Sequence, residues 1–324
     1  MKYIKLILCI VVFGCFTSCE DFVDVENYGG IPSDDLINSV ENAQTALNGA
    51  YNGLYGEWLY FYGIYYYTCF ATGELEFRAT LEDVKPMVNF GYFDGSSAIY
   101  CYWKNLYSII SRSNDVCTKI YSLRNSGSLT QSENQELDKM IGECNFLRGF
   151  AYMSLTRSFG DKLPSHPQYD PNGLGVPIVD TLIVSRDQLM IPRNTLGECW
   201  NEIITNFETA YNRLPTSWQT TKLGAVTKGA AAGYLGQVYM YLEDYGKAKE
   251  WFVKAMECGN QTGGEYQLTT EYAWNFDFNH ENNSESIFEV QFQTVNDDTK
   301  AGSYLWRRLG PDGVGGGFGI VNLS

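Results

Sequence analysis

Histidine is nearly missing from this chain of 324 residues; His166 and His280 are the only two. That scarcity argues against a His-rich metal centre, and any Ser-His-Asp or Cys-His arrangement would have to be built on one of these two side chains. Basic residues are scarce as well: 23 Lys and Arg stand against 38 Asp and Glu, a formal net charge of −15. Electrostatic attraction to nucleic acid or to an anionic lipid surface is therefore disfavoured, and neither is an expected partner. The nine cysteines include no CxxC pair, which excludes a compact zinc knuckle or a thioredoxin motif. The Gly-rich stretch 310–319 carries no Gly-Lys-Ser/Thr and is not set between a strand and a helix, so it is no phosphate-binding loop. A loose terminus is expected there. What the chain has in abundance is aromatic surface: 24 Tyr, 18 Phe and 7 Trp, 15% of all residues.

Residues 1–18 read as a secretory signal. Lys2 and Lys5 form a positive start, and the apolar run 4–16 is too short to remain in a bilayer as a spanning helix. The run ends in Phe16-Thr17-Ser18-Cys19, which resembles the lipobox at which a bacterial prolipoprotein is cleaved and its new terminal cysteine acylated. Cys19 is then the lipidation site, its acyl chains holding the protein on a membrane with no spanning helix at about 0.8 kcal/mol per buried methylene. Residues 19–35 are the anchor and tether. Glu20 and Asp21 follow directly and resemble the surface-export signal of some Gram-negative lipoproteins. The six cysteines beyond this segment are Cys69, Cys101, Cys117, Cys144, Cys199 and Cys258, and several fall on apolar stripes, so they are read as small buried hydrophobes.

From residue 36 a helical period takes over. Leu36, Val40, Ala43, Leu47, Ala50 and Leu54 recur in steps of four and three, one buried face of a first helix. A second helix over roughly 97–124 carries Trp103, Leu106, Ile110 and Val116. A third follows a capping box of Thr130 and Glu133, with Leu137, Met140, Ile141, Cys144, Leu147, Ala151 and Leu155 on one stripe and Phe146, Phe150 and Met153 on a second, and stops at Gly160. An apolar arc that wide predicts neighbours on two sides. Residues 160–193 have no helical period and read as an ordered connection. Thr195 and Glu198 then cap a fourth helix with Trp200, Ile203, Phe207, Ala210 and Leu214 on its face.

The next segment, Leu235-Gly236-x-x-Tyr239 followed by Tyr245, Ala248, Phe252 and Ala255, matches the spacing of a tetratricopeptide helix pair. Its small residues let two helices approach closely, with Tyr and Phe filling the space between pairs. Such a unit is a scaffold and specifies no activity. After Gly259 the pattern changes: 266–278 is aromatic and loop-like, and Phe288-Glu289-Val290-Gln291-Phe292 alternates with the period of a half-buried strand.

Four strings complete the reading: Ala46-Leu47-Asn48-Gly49-Ala50-Tyr51-Asn52-Gly53-Leu54; Phe146-Leu147-Arg148-Gly149-Phe150-Ala151-Tyr152 running on to Arg157-Ser158-Phe159-Gly160-Asp161; Gly175-Val176-Pro177-Ile178-Val179; and Val226-Thr227-Lys228-Gly229-Ala230-Ala231. With the lipobox and the helix pairs, they resemble the SusD/RagB family of outer-membrane glycan-binding lipoproteins over roughly residues 19–305. The resemblance implies a mainly α fold, a tetratricopeptide-like helix-pair solenoid over 36–262 with irregular loops. Residues 263–324 would be the start of a loop- and strand-rich C-terminal portion. Members usually continue well beyond this length, so that portion is expected to be incomplete.

The resemblance also implies a function: capture of oligosaccharides or polysaccharides at the cell surface and delivery to a SusC-like TonB-dependent transporter, without catalysis, metal or cofactor. Sugar rings stack their C–H faces on aromatic side chains while their hydroxyls take polar partners. Candidate glycan contacts are Glu74, Phe77, Arg78, Tyr92 and Phe93, in and near a stretch where the family carries an acidic loop whose usual Asp is Gly73 here. Tyr304 and Trp306, flanked by Arg307 and Arg308, are added from the later region. Two other readings stand beside this one. A tetratricopeptide scaffold for a partner's peptide would be expected to carry basic clamps. A surface glycoside hydrolase would need two carboxylates across a cleft, and no acid lies in a recognisable catalytic context.

Overall fold

Ser39 starts the first helix: its hydroxyl accepts from the Asn42 N–H at 3.2 Å, meeting one of the donors that a helix start leaves unpaired. The computed structural model describes residues 37–59, 75–77, 91, 95–127, 129–183, 185–218, 222–260, 263–292 and 321–323. The expected leader and anchor, residues 1–35 with Cys19, lie outside them. Six longer helices follow in order: α1 (Val40–Tyr51), α2 (Ser97–Asn125), α3 (Gln131–Phe159), α4 (Leu196–Arg213), α5 (Lys228–Tyr241) and α6 (Tyr245–Glu257). A 3-10 turn, Asn52–Tyr55, continues α1. Two three-residue strands, β1 (Leu75–Phe77) and β2 (Val321–Leu323), pair antiparallel with Phe77 opposite Val321. The period of the sequence gives no sign of this pair.

Both expected capping boxes form. Glu133 Oε2 accepts from the Thr130 N–H at 2.8 Å, and Glu198 Oε2 accepts from the Thr195 N–H at 2.8 Å, with each threonine hydroxyl returning the bond three residues on. Those N–H groups hold both carboxyls below their ordinary pKa. Consecutive helices pack on one another, α2 on α3, α3 on α4, α4 on α5 and α5 on α6, while α1 packs on both α2 and α3. Contact only between near neighbours is the organisation of a helical solenoid.

α3 is the centre of this stack. Leu137, Met140, Ile141, Cys144, Phe146, Leu147, Ala151, Tyr152, Met153 and Leu155 are all buried, so both of its expected stripes are covered. Phe146 meets Phe207 of α4 at 5.5 Å, Tyr234 of α5 at 5.2 Å and Phe288 at 5.6 Å between ring centroids, edge-on contacts that aromatic quadrupoles favour. Gly149 makes room for this nest, since a Cβ there would stand 3.0 Å from the Phe207 ring. Much of the aromatic abundance is packing of this kind.

The connection between α3 and α4 is held by side chains from the helices beneath it. Tyr107 donates to the Pro177 carbonyl at 2.7 Å and Asn114 to the Val179 carbonyl at 2.8 Å, while the Tyr152 hydroxyl both donates to the Val179 carbonyl and accepts from its N–H. Arg193 binds the carbonyls of Gly175 and Phe159. Buried backbone groups of a non-helical segment need such partners, which explains why the Gly175-to-Val179 string accompanies these particular helices.

Three expectations need correction. The first helix starts at Val40 and tightens to a 3-10 turn after Tyr51, so Leu54 is buried from that turn instead of from the helix. Residues 288–292 form no strand: Phe288 and Val290 face the core as the alternation requires, but the segment lies on helices and has no ladder partner among the described residues. In the tetratricopeptide-like pair, Ala248 and Ala255 are buried, whereas Tyr245 is 60% and Phe252 39% exposed. No further helix covers the outer face of α6 among the described residues. Cys117, Cys144 and Cys199 are buried thiols and Cys101 and Cys258 partly exposed ones, all free; Cys69 lies outside the described residues.

Candidate functional site

Gln44, Asn48 and Tyr51 lie at steps of four and three on α1, hence on one helix face. That face, the turn residues Leu54 and Tyr55, Glu143 of α3, residues 222–225, and Phe288, Val290 and Gln291 line a half-open cavity of about 510 Å³. Its floor is a hydrogen-bonded relay. The Val226 N–H donates to the Tyr51 hydroxyl at 3.1 Å, and that hydroxyl donates to Glu143 Oε2 at 2.7 Å. The other oxygen, Oε1, is buried without a partner, as is Gln44 Oε1. The Gln44 amide N–H donates to Asn48 Oδ1 at 3.0 Å.

Burial pushes the Glu143 carboxyl up to about 7, against the lowering effects of the Tyr51 hydrogen bond and the Lys222 charge; Glu136 adds to the rise. Burial and the neighbouring Glu143 raise the Tyr51 phenol well above its ordinary value, so it stays protonated. Lys222 lines the cavity and stands 3.9 Å from Glu136, with its ammonium 4.8 Å from the Trp218 ring. The outer wall is fixed by Gln291. Its carbonyl accepts from the Tyr55 hydroxyl at 2.8 Å, and its amide exchanges two hydrogen bonds with that of Asn282. Gly224 permits this closure: its φ is +89°, and a Cβ there would stand 2.5 Å from the Gln291 side chain.

An aromatic surface lies on the two short turns Tyr272–Phe276 and Phe278–His280. Tyr272 and Phe276 are largely exposed and meet edge-on at 5.3 Å, while Trp274 stacks on His280 at 4.4 Å. The His280 ring nitrogen Nδ1 is 2.8 Å from Asp277 Oδ2, and His166 Nδ1 accepts from the Gln168 N–H. Both histidines thus serve local turns. Among the described residues no group of three His, Cys, Asp or Glu is arranged to hold a metal, and no helix is long and apolar enough to cross a membrane.

Of the residues nominated from sequence, only Phe77 has a described backbone, in β1. Glu74, Arg78, Tyr92, Phe93, Tyr304 and Trp306 lie outside the described residues. The cavity residues were missed, although one signal was present: Glu143 is a carboxylate flanked by Ile141, Cys144 and Leu147 on an otherwise apolar arc.

The helix-pair frame and its string of capped helices have counterparts among known proteins. A family model described as SusD-like, starch-binding and associating with the outer membrane, matches residues 21–240. The chain belongs to the SusD-like family. SusD-like protein P2 of Formosa agariphila is 25% identical over 260 residues, covering 77% of this chain and 45% of that protein. A SusD superfamily protein from Bacteroides thetaiotaomicron, solved as a crystal structure, superposes with a TM-score of 0.62 at 27% identity, covering 79% of this chain and 53% of the other. A SusD-like carbohydrate-binding protein from Bacteroides fragilis shares the fold with a TM-score of 0.68 at 20% identity, covering 88% of this chain and 52% of that one. The chain spans about half the length of the curated SusD-like relatives it matches.

Proposed function

We propose that this protein is a cell-surface lipoprotein of the outer membrane, acylated at Cys19, that binds oligosaccharides or polysaccharides without cleaving them and passes them to a SusC-like TonB-dependent transporter. The observation that carries the reading is the SusD-like match over residues 21–240, in a family described as starch-binding and associating with the outer membrane. The composition supports it, because rigid aromatic side chains lose little entropy when they stack on a sugar. The glycan platform is assigned to Glu74, Phe77, Arg78, Tyr92, Phe93, Tyr304 and Trp306. Pairing of β1 with β2 draws the stretch that holds Phe77 toward residues 321–323.

Affinity electrophoresis of the purified protein through gels containing starch, plant polysaccharides or host glycans tests the assignment. Retardation by at least one of them is expected, with Phe77→Ala and Trp306→Ala each weakening it by about tenfold, the effect of losing one stacked ring. Retardation by none would leave the peptide-scaffold reading in its place. Release of reducing sugar would overturn the non-catalytic assignment. Cys19→Ala should move the protein from the membrane to the soluble fraction, and co-purification with a TonB-dependent barrel checks the partner.

A further inference from the structure

We propose that the cavity between α1, α3 and residues 288–291 is a further ligand site, one that takes a single neutral sugar ring on residues other than those nominated from the sequence. The ligand class rests on the carbohydrate reading above; the site itself rests on the geometry. A volume of about 510 Å³ falls within the range of small-molecule pockets and exceeds what one pyranose needs. Leu54, Phe288 and Val290 give it apolar walls suited to the C–H face of a ring.

Its polar groups are specific. Glu143 is 1% exposed, and its Oε1 is unpartnered. The relay explains which oxygen is left over: the Tyr51 hydroxyl already accepts from Val226, so its one proton goes to Glu143 Oε2. When the carboxyl is neutral its own proton belongs on Oε1; when it is ionised, Oε1 is an acceptor. A sugar hydroxyl matches either state, because it both donates and accepts. Gln44 also lines the cavity and is partly exposed, and a turn of its amide would bring the unpartnered Oε1 to a second hydroxyl. Lys222 adds a donor. With an acid and a base lining the same cavity, neither an anionic nor a cationic ligand is preferred, which favours an uncharged one.

Saturation-transfer NMR with glucose, galactose, mannose and xylose, each up to about 50 mM, is the test, since a single ring in a preformed pocket binds in the millimolar range. At least one should bind. Gln44→Leu, which removes one acceptor from a partly exposed helix position, should weaken it about 3- to 10-fold, and Gln44→Trp, which sets an indole against the cavity, should weaken it further, with the helical circular dichroism of both unchanged. Retardation in polysaccharide gels should be untouched by either variant and weakened about tenfold in Trp306→Ala. The proposal is overturned if no neutral monosaccharide binds, if both Gln44 variants bind as the parent does, or if only glucosamine or glucuronic acid binds. Monosaccharide binding that depends on Gln44 in a protein retarded by no polysaccharide would instead sink the loop-platform assignment and leave the cavity site standing.

Discussion

Two glycine-phenylalanine contacts join successive helices, and they end differently. Gly149 of α3 lies under Phe207 of α4, and Gly236 of α5 lies under Phe252 of α6. Phe207 is fully buried, stacked on Tyr234 at 5.1 Å and edge-on to Phe146, while Phe252 keeps 39% of its surface exposed. The local device is the same in both: a small residue lets two helices approach and a ring fills the gap. What differs is the layer beyond. α4 has α5 on its far side, whereas α6 has no further helix among the described residues. An interface in a solenoid is stabilised by its neighbours as much as by its own residues.

The largest effect is expected at the rings themselves. Phe207→Ala should cost about 3–5 kcal/mol, as for a phenylalanine removed from a closed core. Phe252→Ala should cost well under half of that, since a part-exposed ring leaves a gap that water can enter. Equal costs in urea unfolding would break the comparison.

Next come two carboxylates, Glu143 buried on α3 and Asp244 partly exposed at the cap of α6. Burial raises the folded pKa of Glu143 to about 7 from an ordinary 4.5. The folded state therefore holds a proton that the unfolded state has lost between those two values, and stability falls as pH rises through that window. The fall should reach about 3 kcal/mol. Glu143→Gln, which keeps an acceptor for Tyr51, should remove the slope, so that the variant gains on the parent from pH 5 to pH 8. A parent with a flat profile across that range would contradict the burial of this group. Asp244 is opposite in sign. Its carboxyl accepts from the Lys247 N–H and pairs with the Lys247 ammonium, which lowers its pKa, so its contribution is present at neutral pH and lost only in acid.

The glycines sharpen the comparison because distance alone predicts the wrong order. A Cβ at Gly236 would stand 2.5 Å from the Phe252 ring, closer than the 3.0 Å between one at Gly149 and Phe207. The part-exposed Phe252 ring can turn outward; Phe207 is locked among Phe146 and Tyr234. Gly149→Ala should therefore lower stability by about 1–3 kcal/mol. Gly236→Ala should be close to neutral, the small clash offset by a gain in helix propensity of up to about 1 kcal/mol. Thermal unfolding of the two variants measures this. A small effect is expected from Asp244→Ala, a partly exposed helix-cap contact, seen as a slight loss of stability at neutral pH that disappears in acid.

Helix placement was legible because its signals are local. The capping boxes at Thr130 and Thr195 are satisfied within four residues, and the stripes of α3 and α4 name their buried faces directly. The cavity was hidden for the opposite reason. Tyr51, Glu143 and Gln291 are scattered along the chain and meet only when α1, α3 and the 288–291 segment converge, so no spacing rule could assemble them. The alternation of 288–292 did mark which side chains turn inward. It was silent on whether a neighbouring strand or a helix would receive them.

By itself the sequence determined which segments become helices, where α2, α3 and α4 begin, and that small residues and rings alternate at their contacts, since capping and periodicity depend on near neighbours. Only the tertiary structure decided which rings are closed off, that Glu143 keeps one oxygen without a partner, and that the Gly175-to-Val179 string is held by Tyr107, Asn114 and Tyr152. Burial and electrostatic environment belong to groups brought together from distant positions, and they arise when the layers close.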